Sequence, residues 1–128
     1  GRDAIPAARL GHSVEVVDIA LSGLEQIKAV AASERLEITT SCVSIVEYVP
    51  KEQFDVIVLD RVLHMLSDEE IDSVLTKVLS WTKPGGWVMV AETRRNRDRV
   101  RNHFDRDGWI TELQKGDFLI SKFSPESV

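Results

Sequence analysis

The chain reads as an α/β domain with a mostly parallel sheet and an antiparallel hairpin at its C-terminal end. Three observations carry that reading. Apolar, β-type runs alternate with amphipathic helical stretches along most of the chain. The run Phe54–Leu59 is almost continuously apolar, the pattern of a strand buried on both faces of a parallel sheet. The last two β-type runs, Trp109–Leu113 and Phe118–Phe123, are separated only by Gln114-Lys115-Gly116-Asp117. That spacing suits a hairpin turn, whereas a parallel crossover needs a dozen residues or more.

Each element follows from local signals. Arg2–Leu10 reads as a short helix stopped by Gly11, with Pro6 tolerated only near the first turn. Ser13–Asp18 is β-rich and ends in a carboxylate. Ser22 and Glu25 stand at capping-box spacing, and Leu24, Ile27 and Ala31 follow on one face, so a helix is predicted over 22–34. Leu36–Val43 alternates and is rich in Ile, Thr and Val, which predicts a strand.

After the apolar strand at 54–59, Ser67 and Glu70 form a second capping-box pair. Ile71, Val74, Leu75, Val78 and Leu79 then share one helical face. Lys83-Pro84-Gly85-Gly86 breaks that helix, and Trp87–Ala91 reads as another buried strand. Asn96–Asp107 predicts a helix with Val100 and Phe104 inward, ended by Gly108. Residues 1–123 are therefore expected to form a single domain, with 124–128 a frayed tail.

Composition narrows the function. The 128 residues are 43% hydrophobic and 29% charged, as in a soluble globular chain, and carry a formal net charge of -5. An acidic balance disfavours a nucleic-acid coat or a polybasic membrane binder. No apolar run is long enough to span a bilayer. The Gly-Arg-Asp start is not followed by a secretory h-region, and there is one cysteine, Cys42. A reducing, cytoplasmic setting is the expectation. A lone cysteine makes neither an intrachain disulfide nor a thiolate metal site, and no metal site is expected.

In an open α/β sheet, ligands bind beyond the carboxyl ends of the strands. Those ends are Asp18, then Cys42 to Ser44, then Asp60 and Arg61, then Glu92 to Arg95. Asp18 stands out because a carboxylate at such a tip can accept hydrogen bonds from two ribose hydroxyls. Read alone, it is equally a solvated strand end.

The ordered motifs resemble a known family. Gly1-Arg2-Asp3-Ala4, Arg9-Leu10-Gly11-His12 and Val14-Glu15-Val16-Val17-Asp18-Ile19 are followed by Phe54-Asp55-Val56-Ile57-Val58-Leu59-Asp60. Val62-Leu63-His64-Met65-Leu66 and Lys83-Pro84-Gly85-Gly86 come next. Over essentially the whole chain this order resembles the class I S-adenosylmethionine-dependent methyltransferases, most of all their small-molecule, tellurite-resistance and ubiquinone-biosynthesis type.

The resemblance implies a Rossmann-like, doubly wound sheet, S-adenosylmethionine as cofactor, and methyl transfer to a small or anionic acceptor. It implies that Gly1 and Arg2 end a glycine-rich loop at the cofactor and that Asp18 holds the ribose. Ile19 would lie against the adenine, and Cys42, Val43 and Ser44 along its edge. Asp60 and Arg61 would lie under the methionine part. The family usually has an acidic residue near the position of Cys42 and Ser44. It also has a first strand, carrying further glycines, before the position of Gly1. The chain is thus expected to be truncated at its N-terminal end. The strands at 13–18 and 54–59 would then lack their common neighbour, and a homo-oligomer through exposed strand edges is the expectation.

Two other readings stay open. One is a non-catalytic remnant or fragment of the methyltransferase fold that acts as a binding or assembly module. The other is a nicotinamide-type dinucleotide binder, disfavoured by Lys83-Pro84-Gly85-Gly86 and the closing hairpin.

Further candidates weigh as follows. His64 follows the strand at 54–59, where a substrate contact or a general base belongs; the plainer reading is a histidine packed beside Met65. Arg94, Arg95, Arg97, Arg99 and Arg101 are five arginines in eight residues. Arg94 and Arg95 lie nearest the strand end and would bind an anionic substrate. The plainer reading is a solvated helix start with Asp98 and Asp105 as partners. Phe104 and Trp109 show no interleaved stacking pattern, which disfavours nucleic acid. Cys42 is expected to be a small buried thiol, and Trp81 and Trp87 to be packing residues.

Overall fold

The computed structural model describes residues 3–106 and 109–124, with backbone only at 106 and 109–113. The closing Gly108 and the tail at 125–128 lie outside the described residues, as do Gly1 and Arg2. The chain divides into two compact units, 1–49 and 50–128.

The first unit is built in the order helix, strand, helix, strand: α1 (Ala4–Arg9), β1 (Val14–Asp18), α2 (Leu21–Glu34) and β2 (Ile38–Cys42). Gly11 adopts φ 96° after α1, the left-handed conformation that ends a helix at little cost for glycine. The strands run parallel, with Val14 opposite Ile38 and Asp18 opposite Cys42. Leu24, Ile27 and Ala31 are the buried residues of α2, as their spacing predicts.

Two details differ from expectation. The pair Ser22 and Glu25 does not cap α2. The N-cap is Ala20, with no side-chain cap bond, and Asp18 Oδ1 accepts a hydrogen bond from the Ala20 amide at 3.0 Å. The carboxylate two residues back takes over part of a cap's work, so the helix starts one residue before Ser22. Strand β2 is also shorter than 36–43. Arg35 takes φ 56° and the Leu36 amide bonds back to the Ala31 carbonyl, so those residues close the helix.

The second unit contains β3 (Phe54–Asp60), a 3-10 turn (Leu63–Met65), α3 (Asp68–Trp81), β4 (Thr82–Ala91), α4 (Arg94–Arg106), β5 (Trp109–Lys115) and β6 (Phe118–Phe123). Its sheet has the order β3-β4-β6-β5. The first pair is parallel and the other two are antiparallel. The expected C-terminal antiparallel hairpin is therefore present, with Gly116 at φ 60° in the turn. The predicted capping box of α3 forms in full: Glu70 N donates to Ser67 Oγ, and Ser67 N to Glu70 Oε1. Ile71, Val74, Leu75 and Val78 are buried below it.

The Lys83-Pro84-Gly85-Gly86 segment is a bulge inside β4 rather than a loop before it. Phe54 pairs with Thr82, and the next partners are Val56 and Trp87. Gly86 is required there, because a Cβ would come within 2.8 Å of the Asp55 and Lys83 carbonyl oxygens.

One face of this sheet is buried and the other is not. Leu59, Val88, Val90, Leu119 and Ser121 are buried, while Val56 is 51% and Val58 41% exposed. The expectation that Phe54–Leu59 is buried on both faces is corrected. Continuous apolar sequence cannot report which face receives a covering layer. Strand β3 has β4 on one side only, and β1 has only β2, among the described residues. No helix among them is long and apolar enough to cross a membrane.

Candidate functional site

Parallel pairing brings the carboxyl ends of β1 and β2 together. Asp18 and Cys42 are register partners, and the Val43 amide donates to the Asp18 carbonyl at 3.1 Å. The Asp18 side chain is exposed. One oxygen holds Ala20 N, and Oδ2 has no partner among the described residues. A hydroxyl donor can therefore bind there without displacing a protein contact. Ile19, beside it, is exposed for a large aliphatic residue and offers an apolar surface to a flat ring.

Cys42 is exposed, which corrects the buried-thiol expectation. It ends its strand, and its Sγ reaches the Ile19 carbonyl, at 3.7 Å. Val43 and Ser44 are half-buried. Ser44 Oγ accepts from Val46 N at 3.3 Å, within its own turn. Asp18, Ile19, Cys42, Val43 and Ser44 thus form one cluster. The cluster offers a carboxylate oxygen without a partner among the described residues, beside an exposed apolar side chain.

A second cluster sits at the carboxyl ends of β3 and β4. Asp60 pairs with Ala91, and the Arg61 amide donates to the Ala91 carbonyl at 2.9 Å. Arg61 adopts φ 60°, a strained conformation for a residue with a Cβ. Its guanidinium is engaged with the Asp117 carboxylate of the hairpin turn. Arg97 also reaches Asp117, at 3.2 Å, and the Glu92 carbonyl, at 2.9 Å. The hydrogen bond from Arg61, then its charge, holds the Asp117 carboxyl below the ordinary range, with a smaller contribution from Arg97.

Glu92 is the residue that sequence reasoning passed over, although it stands at the end of β4. It is 1% exposed. Its Oε2 accepts from Leu63 N at 3.1 Å and its Oε1 from Asn96 Nδ2 at 3.0 Å. The imidazole Nδ1 of His64 lies 3.5 Å from Oε2. The His64 side chain is 48% exposed, and Met65 is exposed too. The reading of His64 as a histidine packed against Met65 is therefore corrected. A one-turn 3-10 segment has no inward face to bury both. The only signal in the sequence was a carboxylate directly after the apolar run Trp87–Ala91.

The arginine run divides. Arg97 bonds Asp117, Arg99 bonds Asp68 and Asp72 on α3, and Arg101 bonds Asp98. Arg97 and Arg99 thus tie α4 to the hairpin turn and to α3, while the Arg101 pair stays within α4. Arg94 and Arg95 are exposed and make no ion pair among the described residues. Of the two predicted partners, Asp98 serves Arg101; the others come from residues distant in sequence. Trp81 is buried, as expected of a packing residue, while Trp87 is half-buried, with Lys122 Nζ 5.6 Å from its ring centre.

The sequence model described as a methyltransferase domain matches residues 1–86. The chain belongs to the methyltransferase-domain family. That match bears out the resemblance to class I S-adenosylmethionine-dependent methyltransferases. The ubiquinone biosynthesis O-methyltransferase of Rhodopseudomonas palustris (strain BisB18) is 31% identical over 91 residues. These are 71% of this chain and 35% of that protein, so the chain spans about a third of this curated relative.

The fold is shared with solved structures, a methyltransferase with bound SAM among them. TehB from Haemophilus influenzae superposes with a TM-score of 0.81 at 18% identity, over 97% of this chain and 54% of that one. Magnesium protoporphyrin IX methyltransferase from Synechocystis PCC 6803, solved with bound SAM, gives 0.79 at 15% identity, over 94% and 64%. The Rossmann-like α/β class predicted from the sequence is the fold this methyltransferase domain has.

Proposed function

We propose that this domain serves methyl transfer from S-adenosylmethionine to a small acceptor. The observation that carries the reading is the Asp18 carboxylate, exposed at the tip of β1 with one oxygen free, in a chain of the methyltransferase family. Bound S-adenosylmethionine supplies a methyl group made electrophilic by a sulfonium.

The chain's own residues do the rest. Asp18 accepts hydrogen bonds from the ribose hydroxyls, charge-assisted and so stronger than neutral ones. Ile19 covers the adenine, and Cys42, Val43 and Ser44 border its edge. Asp60 and Arg61 border the methionine part. Arg94 and Arg95, the members of their run with no ion pair among the described residues, draw an anionic group of the acceptor. Positioning supplies much of the rate in a displacement of this kind.

Family membership favours this reading over the non-catalytic module. Saturable binding of S-adenosylmethionine by the full-length protein, with turnover to S-adenosylhomocysteine when acceptor is added, is the expected result. No binding at millimolar cofactor contradicts it. Replacing Arg94 and Arg95 with Ala is expected to raise the acceptor's KM more than the cofactor's.

A further inference from the structure

We propose that Asp117 is an internal competitor for Arg61, which it yields to the carboxylate at the amino-acid end of the cofactor; the inference rests on the methyl-transfer reading above. Arg61 follows β3, and Asp117 stands in the turn that enters β6. The sheet order β3-β4-β6 puts the end of β4 between them. Their ion pair therefore spans the carboxyl end of β4, the end of an open α/β sheet where ligands bind. The Arg61 amide is fixed to the Ala91 carbonyl at 2.9 Å. Its backbone is left-handed, at φ 60°, a strain of the kind that collects at ligand sites.

Asp117 serves its two arginines unequally. Its Oδ1 accepts from Arg97 Nη1 at 3.2 Å. The Arg97 side chain is only 12% exposed, and the same nitrogen donates to the Glu92 carbonyl at 2.9 Å. The Asp117 main-chain carbonyl accepts from the Glu92 amide at 3.3 Å. These bonds keep the turn in place without Arg61. The Arg61 side chain is 50% exposed and donates from one terminal nitrogen, Nη2, to Oδ2. Its other side-chain donors have no partner among the described residues.

That difference makes Arg61 the exchangeable partner. An exposed ion pair contributes little, whereas two parallel N–H donors of one guanidinium grip a carboxylate strongly. A ligand carboxylate that offers both oxygens therefore takes Arg61, and Asp117 retains Arg97. At rest two guanidinium groups share one carboxylate; with the ligand bound, each has its own. The amino-acid end is the same in S-adenosylmethionine and in the spent S-adenosylhomocysteine. An acid in this turn thus weakens both, which favours release of the product.

The test is titration calorimetry of the full-length protein with S-adenosylhomocysteine and with 5′-methylthioadenosine, a thioether of the same nucleoside that lacks the amino-acid end. Asp117→Asn keeps the shape of the turn and removes the competing charge. It is expected to tighten S-adenosylhomocysteine by about two- to five-fold and to leave methylthioadenosine unchanged. Arg61→Gln is expected to weaken S-adenosylhomocysteine by about tenfold, again sparing methylthioadenosine. In the double variant the gain from Asp117→Asn disappears.

Weaker or unchanged binding of S-adenosylhomocysteine by Asp117→Asn overturns the inference, as does an equal shift for both ligands. So does an Arg61→Gln variant that binds S-adenosylhomocysteine as tightly as the parent, a readout independent of how Asp117→Asn folds. Parent protein that binds both ligands, with neither variant altering either affinity, leaves the cofactor reading standing and removes the exchange alone. Parent protein that binds neither ligand defeats that reading and the inference with it.

Discussion

Asp18 and Glu92 are both carboxylates at the carboxyl end of a strand in a parallel pair, yet they have opposite environments. Asp18, in the first unit, is exposed and keeps an oxygen free. Glu92, in the second, is 1% exposed and has both oxygens engaged. A carboxylate that must meet a ligand is useful only while its lone pairs are open. One that ties a turn to a strand end, as Glu92 does through the Leu63 amide, is useful only when its own geometry is held. Position at a strand end marks both residues; burial separates their work.

The comparison breaks most readily through stability. Glu92→Ala leaves the buried Leu63 amide without its acceptor and opens a cavity, and is expected to cost about 2–4 kcal/mol. Asp18→Ala loses only an exposed bond near the start of α2, about 1 kcal/mol or less. Urea unfolding of both variants measures the difference, and equal losses would remove the distinction drawn here.

The glycines of the two units sharpen it next. Gly86→Ala forces a Cβ against two carbonyl oxygens in the β4 bulge and is expected to destabilise by about 1–3 kcal/mol. Gly23, inside α2, has open space around it. Gly23→Ala is expected to stabilise by up to about 1 kcal/mol. Thermal melting of the two variants should show shifts of opposite sign.

The smallest effect concerns Asp117. Its carboxyl is depressed by the Arg61 hydrogen bond and charge. Depression in the folded state means that its contribution is complete above the unfolded value, about 3.9. The contribution is lost as pH falls through the lower folded value. Arg61→Gln should return Asp117 toward the ordinary range, which an NMR titration of its side-chain carbonyl reads. An unmoved midpoint would mean that Arg97 alone holds it.

Much of this was legible in the sequence. Capping at Ser67 and Glu70, the buried faces of α2 and α3, the hairpin at Gly116 and the tip position of Asp18 are all set by residues within a turn or two of each other. What escaped depends on distant partners. Val56 and Val58 look as buried as Leu59 until the sheet's uncovered face is known. Cys42 looks like a core thiol until its strand ends at it. Arg97 and Arg99 look like a binding rim until Asp117, Asp68 and Asp72 arrive from other elements. Glu92 looks like one more polar residue after a strand until Leu63, His64 and Asn96 close around it.

The central proposal is that Asp18 holds the cofactor ribose, whereas Glu92 is a structural carboxylate that holds the Leu63 amide and Asn96 within its own unit. Titration calorimetry of S-adenosylhomocysteine with the full-length protein and its Asp18→Ala and Glu92→Gln variants tests it most directly. Asp18→Ala is expected to weaken binding by about 1.5–3 kcal/mol, a factor of roughly 10 to 150. Glu92→Gln is expected to leave affinity within about a factor of two. Unchanged affinity in the Asp18 variant, or an equal loss in both, would contradict the assignment.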